Sequence, residues 1–422
     1  MRPIQLTLLL VMVTASLSAQ TISCNCFMEL DFAMGKLRKS LPYHAQRKEA
    51  RQSERCYLPL IRAEMAADSL LPIHCAYYLG KAIHHVVRDK HLAVYPNPML
   101  PSNRPRLVWT ADEIRALPAQ QRGVRYPGTV FELRQRAASY PKSALGGVYQ
   151  NESNELAILL EDDEWTAYVL TADTVFDIGQ RIMHVGPDYR GGYGAGIYIN
   201  HEFGYLPVKS PAALLDQLGF RKDTAAISPH LPPSIDQAYY ATDVMPGIRY
   251  VRLSTFNQTT YPLKVMQEPL YDSLRSLEGS LSDYTDLLID LRSNPGGSSR
   301  LMQEFLKVVQ AHPQVRIHVL VNRFTGSAAE LAALELQAAG AMLYGERTAG
   351  VLSYGLTTGR FKFRKAYHET PCGYILAIPN TRYPGFKRAN LAYEMIGIPI
   401  DLDLSTIDDW VGEVLDQIVR NR

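Results

Sequence analysis

A chain of 422 residues with 44 basic and 42 acidic side chains carries a net charge of only +2, which leaves no electrostatic case for a nucleic-acid ligand. The length allows two or three domains and a substantial core. No run of like charge, internal repeat or low-complexity tract interrupts it.

Residues 1–19 read as a secretory signal peptide: Met1-Arg2, an apolar stretch from Leu6 to Val13, then small residues through Ala19. The apolar core is too short for a permanent membrane helix, and no later segment has that length. An exported chain, periplasmic or secreted, is expected, with lipid anchoring at Cys24 on a poor lipoprotein box as the alternative. Cys24, Cys26, Cys56 and Cys75 cluster early, and Cys372 stands alone. Export permits disulfides, and four cysteines allow three pairings that the sequence leaves open. The Cys-x-Cys pair lacks zinc-site spacing, so no metal is expected.

Residues 20–95 form a helical region, with Leu30, Phe32, Met34, Leu37 and later Leu60, Ile61, Met65 and Leu70 at mixed three and four spacing. It ends in Asp89-Lys90-His91. His84 and His85 are adjacent and point to different sides of a helix, which argues against a metal cluster with His91. A structural hydrogen-bonding role is the plain reading of His91, and a catalytic base is the other. Residues 96–235 hold a Pro- and Arg-rich connection with a short helix near 111–117, then a small antiparallel β module. Its strand-like runs are Tyr149, 156–160, 165–170, 182–185 and 196–199. Leu218-Gly219-Phe220 is a weak echo of a PDZ-domain signature that a helix C-terminus explains equally well, and a Tyr-rich linker at Tyr239-Tyr240 leads into an α/β domain assigned to 236–422.

The centre of that domain is the stretch 287–350. Leu287-Leu288-Ile289-Asp290-Leu291 is an apolar run closed by Asn294-Pro295-Gly296-Gly297, as in a strand buried on both faces. A helical pattern over 299–310 follows, then a strand over 315–321 that runs into Gly326-Ser327 and another helix. Two successive β–loop–α units argue for a parallel sheet with flanking helices. Ligands of such sheets collect at the carboxyl ends of the strands, where both loops lie. Ser327-Ala328-Ala329-Glu330 has the form of a capping box. A serine on a strand-to-helix turn is also where hydrolases hold a nucleophile.

Three motifs, Asp290-Leu291-Arg292-x-Asn294-Pro295-Gly296-Gly297, Gly326-Ser327-Ala328-Ala329-Glu330 and Gly345-Glu346-Arg347-Thr348-Ala349-Gly350, lie in an order and spacing that resembles the tail-specific, or C-terminal processing, serine peptidases. Residues 247–256 look like the opening strand of that family's catalytic domain, and Tyr393-Glu394-x-x-Gly397-Ile398-Pro399 looks like its closing segment. The resemblance implies a crotonase-like α/β catalytic domain that hydrolyses peptide bonds. It implies Ser327 as nucleophile, with an oxyanion hole from the N–H of Ala328 and that of Gly296 or Gly297. Asp-x-His at the end of the helical region also recurs in the family. Glu394 stands where the tricorn-like branch has an acidic residue near its triad, with a surface carboxylate as the plain alternative.

The pattern departs from the family at the base. Where many members place a Lys after Gly-Glu-x-Thr-x-Gly, this chain has Val351, and no Lys occurs before Lys362 in an expected strand over 360–367. Where the tricorn-like branch has a His, it has Arg252, which cannot act as a base near neutral pH. Either another His reaches Ser327 or hydrolysis is lost. Arg292, Glu346, His318 and His368 read as structural. The expectation is an exported serine endopeptidase that forms an acyl-enzyme from peptide or unfolded-protein substrates, needs no cofactor and associates into homo-oligomers. The alternative is a non-catalytic relative that binds extended peptides. Acyl-CoA chemistry on a crotonase-like fold is disfavoured by export and by the lack of coenzyme-binding basic residues near the Gly loops.

Overall fold

The computed structural model describes residues 25–96, 111–117, 122–151, 154–171, 176–188, 192–199, 202–222, 238–256, 269–356, 366–382 and 392–422. The expected signal peptide, Cys24 and Lys362 lie outside them.

The chain opens with four helices, α1 (Cys26–Leu37), α2 (Leu41–Ala45), α3 (Arg47–Ala67) and α4 (Leu71–Val86), and a strand β1 (Ala93–Pro96). Asn25 and Ser40 cap α1 and α2 by accepting from Phe27 N–H and Tyr43 N–H. A disulfide joins Cys26 to Cys75 and so ties α1 to α4, while Cys56 is free and exposed. Cys372, which stands alone in the sequence, is also disulfide-bonded.

Two short helices, α5 (Ala111–Ala116) and α6 (Val130–Ala138), precede six strands. These are β2 (Gly147–Gln150), β3 (Glu155–Glu161), β4 (Glu164–Val169), β5 (Arg181–Pro187), β6 (Tyr193–Ile199) and β7 (Glu202–Val208), paired antiparallel in chain order. Helix α7 (Pro211–Gln217) follows and ends at Gly219, whose φ of 74° continues into the Phe220 N–H bond to Leu215. The meander packs on α4 through β7, so Phe203 and Tyr205 belong to the same core as Leu79 and Ile83.

The second large sheet has the order β17-β12-β11-β10-β9-β8. Its strands are β8 (Tyr239–Met245), β9 (Ile248–Leu253), β10 (Asp286–Asp290), β11 (Arg316–Val321), β12 (Met342–Gly345) and β17 (Leu402–Asp403), and all pairs are parallel except β8 with β9. The Tyr-rich segment is therefore a strand and not a linker, its alternating Tyr239-Tyr240-Ala241-Thr242 suiting an edge with one face packed. Helices α8 (Pro269–Ser280), α9 (Ser299–Gln310) and α10 (Ala328–Ala338) cover one face, and α11 (Trp410–Arg420) covers the other. Every residue of β10 is buried because the pleat sends Leu287 and Ile289 toward α9 and α10 and sends Leu288 toward Trp410.

The remaining strands are β13 (Tyr354–Gly355), paired with β16 (Thr381–Arg382), and β14 (Tyr367–Glu369) and β15 (Tyr374–Ala377), which join β1 in the order β1-β15-β14. This small sheet fastens the helical layer to the rest, since Tyr374, Leu376 and Ile378 share a core with Met34, Leu37 and Val87. The loop after α4 is thereby held against the carboxyl end of the parallel sheet. No described helix is long and apolar enough to cross a membrane.

Candidate active site

Ser327 sits where β11 turns into α10, with φ 56° and ψ −121°. A non-glycine residue in that region stores about 1–3 kcal/mol of strain, which the surroundings must over-determine. They do so through two loops. Thr325 Oγ1 donates to Leu291 O at 2.8 Å, Asn322 Oδ1 accepts from Ser293 N–H at 2.9 Å, and Gly326 N–H donates to Asn294 O at 2.9 Å. Gly296 lies so close that an added Cβ would meet Ala328 N, Gly326 O and Ser327 Cβ, each at 2.7 Å.

From below, the Glu330 carboxylate closes the capping box by accepting from Ser327 N–H at 3.0 Å. The same fully buried group also accepts from Gly350 N–H (2.6 Å), Val351 N–H (2.7 Å) and the Thr348 hydroxyl. Burial raises its pKa and these four donors oppose the rise. Glu330 therefore holds the serine turn against the 348–351 loop, a wider role than the cap alone. At Val351, where the sequence lacks a Lys, the backbone N–H is what serves the site.

The structure brings His91 to the serine: its Nε2 lies 3.2 Å from Ser327 Oγ across a sequence separation of 236 residues. The loop between α4 and β1 presents it. Asp89, with no exposed surface, accepts from His91 N–H at 2.9 Å, and its Oδ1 lies 3.3 Å from His91 Nδ1. Burial pushes the imidazole pKa down, but Asp89, with Glu394 and Glu330 behind it, outweighs this and leaves it raised.

Glu394 is buried, so its reading as a surface carboxylate is corrected. Its Oε2 accepts from Leu352 N–H, Ser353 N–H and the Ser353 hydroxyl, each at 2.9 Å, and its Oε1 from Lys90 N–H at 3.2 Å. Burial first and the neighbouring Asp89 second raise its pKa to about 7, against the pull of these donors and of His91. It sits behind the His91 loop and holds it to the 352–353 backbone.

Two lysines complete the surroundings, and neither is evident in the sequence. Lys90 Nζ donates to Ala349 O at 2.6 Å, and Lys209, at the end of β7, donates to the carbonyls of Arg347 and Thr348. Burial lowers the pKa of both, that of Lys209 to about 8.

The N–H of Gly296 is taken by Asn294 Oδ1 at 2.8 Å. Among the described residues no acceptor is recorded for the N–H of Gly297 or of Ala328. Ala328 is the first residue of α10, whose N–H has no intrahelical partner. Arg252 lies buried on β9 in register with Asp290, and Arg292 closes onto Asp290 at 2.7 Å. His318 is a core residue held by Asp286 and Tyr344, Glu346 lies 3.4 Å from Arg323, and His368 is on β14. No group of His, Cys, Asp or Glu among the described residues could hold a metal ion.

No protein-family model matches the chain, and no curated protein matches it. Solved structures to which it is similar include mature CPAF, 13% identical over 93% of this chain and 96% of that one with a TM-score of 0.43. The photosystem II D1 C-terminal processing protease is 15% identical over 90% of this chain and 93% of that one, with a TM-score of 0.35. The tricorn protease is 19% identical over 42% of this chain and 18% of that one, with a TM-score of 0.30. Peptidases are thus among the neighbours in shape, at a distance where shape says nothing of chemistry, and the Ser327–His91–Asp89 arrangement has to be judged on its own geometry.

Proposed function

We propose that this chain is a serine-type peptidase acting through an acyl-enzyme, with Ser327 as nucleophile and His91 as general base. One observation carries the reading: an imidazole nitrogen stands 3.2 Å from a strained, half-buried serine hydroxyl while the other ring nitrogen faces a buried carboxylate. Ser327 Oγ attacks the substrate carbonyl carbon and its proton passes to His91 Nε2. Asp89 holds the ring through Nδ1 and stabilises the imidazolium, and Glu394 supports the loop from behind. The oxyanion is received by Ala328 N–H and Gly297 N–H, because Gly296 N–H already donates to Asn294. His91 then protonates the leaving amine, and a water molecule deprotonated by the same nitrogen resolves the ester.

That the acyl group comes from a peptide or an unfolded protein is supported by the resemblance of the motifs around Gly296, Ser327 and Gly345. The non-catalytic alternative drew its force from the missing base, and His91 removes that ground. Export is part of the proposal, supported by the Cys26–Cys75 disulfide, which suits an oxidising compartment.

The test is hydrolysis of an unfolded protein by the purified chain beside Ser327→Ala. Turnover lost in the variant, with thermal stability kept within a few degrees, is the expected result. Equal turnover in both would sink the assignment.

A further inference from the structure

The helical layer carries a basic groove of about 810 Å³ between the α1–α2 turn and α3, separate from the serine turn. Five arginines line it against a single acid, Glu54. Arg38 pairs with Glu54, and Arg62 pairs with Asp31 outside the groove. Arg47, Arg51 and Arg55 remain, all exposed and without an ion pair among the described residues. Lys48, also exposed, extends the basic face on the same helix. In a protein whose net charge is only +2 this is a marked local excess.

Spacing narrows the occupant. Arg47, Arg51 and Arg55 recur every fourth residue, so successive guanidinium groups are about 6 Å apart along the helix axis. An extended peptide presents alternate side chains on one face every ~6.6 Å, a close match over three positions. Leu58 and Pro59 add apolar surface to its lining, which suits the body of a peptide. Single-stranded nucleic acid would need an exposed aromatic platform, whereas Tyr43 is only 6% exposed.

Position narrows it further. Gln46, the residue before α3, clasps the backbone of Arg88: its Nε2 donates to Arg88 O at 2.9 Å, and Arg88 N–H donates to its Oε1 at 3.0 Å. Arg88 immediately precedes Asp89, so the groove begins beside the loop that presents His91.

We propose that this groove is a docking site for an acidic, extended segment of the polypeptide substrate, so that cleavage favours chains with alternating carboxylates. The proposal rests on the peptidase reading for its consequence, but not for the binding itself.

The test uses the full chain carrying Ser327→Ala, which holds peptides without turning them over. Fluorescence anisotropy compares a labelled peptide of alternating Glu and Ser with its Gln-for-Glu counterpart. The Glu peptide is expected to bind about tenfold more tightly, the sum of three exposed ion pairs, and to lose that advantage at high salt. Adding Arg47→Gln, Arg51→Gln and Arg55→Gln should abolish the preference. These exposed positions accept Gln as a good helix former, and circular dichroism checks the fold. Equal binding of the two peptides, or a preference that survives the three substitutions, overturns the proposal. So does association with phosphatidylglycerol vesicles that depends on the three arginines in the absence of any preference for the Glu peptide. If the binding results hold while the intact serine chain hydrolyses an unfolded protein no faster than Ser327→Ala does, the docking site stands and the peptidase reading falls.

Discussion

Replacing Asp89 with Asn removes a charge while keeping the shape of the loop, because the amide oxygen can still accept from His91 N–H as the carboxylate does at 2.9 Å. What is lost is the interaction between a carboxylate and the imidazolium that forms when Ser327 gives up its proton. At the 3.3 Å separation of Asp89 Oδ1 and His91 Nδ1, a unit-charge pair is worth about 5 kcal/mol at an effective dielectric of about 20. The neutral amide dipole restores part of this, which leaves a loss of about 2–3 kcal/mol, or about 30- to 150-fold in kcat/KM. The pH profile supplies a second sign. The proposed mechanism needs neutral His91, and its raised pKa sets the acid limb of the wild-type profile above that of an ordinary histidine. With Asp89 neutral, burial is less opposed and the limb moves to lower pH. The assay is initial-rate hydrolysis of an unfolded protein from pH 5 to 9. A loss smaller than about threefold, or an acid limb that stays or moves upward, would refute the assignment of Asp89 and His91.

Glu394→Gln should shift the same limb downward by less, since Glu394 acts on His91 behind Asp89. Its pKa near 7 means the native chain keeps a proton that the unfolded chain releases from about pH 4.5. Wild-type stability should therefore fall by about 2–3 kcal/mol as pH rises through that window, and the variant should lose this dependence, read by urea unfolding at pH 5 and 8. Gly296→Ala places a methyl group 2.7 Å from Ala328 N and Ser327 Cβ at a φ of 95°. A loss of about 2–4 kcal/mol in stability is expected from thermal unfolding, together with activity reduced below that of wild type at a temperature where both are folded.

The local parts of this structure were legible in the sequence, and the relations between them were not. The apolar run 287–291 and the helical spacing of Leu301, Met302 and Phe305 correspond to β10 and α9 because period and burial coincide there. Strand β8 was missed because Tyr239-Tyr240 beside a Pro-rich stretch reads as linker, and only pairing with β9 makes it a strand. Helix α6 was missed too, although Thr129 and Glu132 form a full capping box at its start, a signal that was there to be read. His91 was visible only as part of an Asp-x-His at the end of a helix. Its approach to Ser327 depends on β1 pairing with β15 nearly three hundred residues later, a contact that no local pattern encodes. Glu330 reads as a cap because spacing reveals only its neighbours in the helix, while its bonds to Thr348, Gly350 and Val351 come from tertiary packing. Lys209 had no signal at all, lying just past the last strand of the meander, far from every motif.

The separation of His91 from Ser327 has a further meaning for how the proposed activity would arise. During synthesis the proposed base is made 236 residues ahead of the proposed nucleophile, and the strand that fastens its loop, β15, comes later than both. On the proposed mechanism, a chain made only as far as Ser327 holds both groups but not the strand that fastens the His91 loop. Hydrolytic power should therefore rise with the final folding step and not before it, so that a nascent chain is harmless to itself and to its neighbours until it is complete.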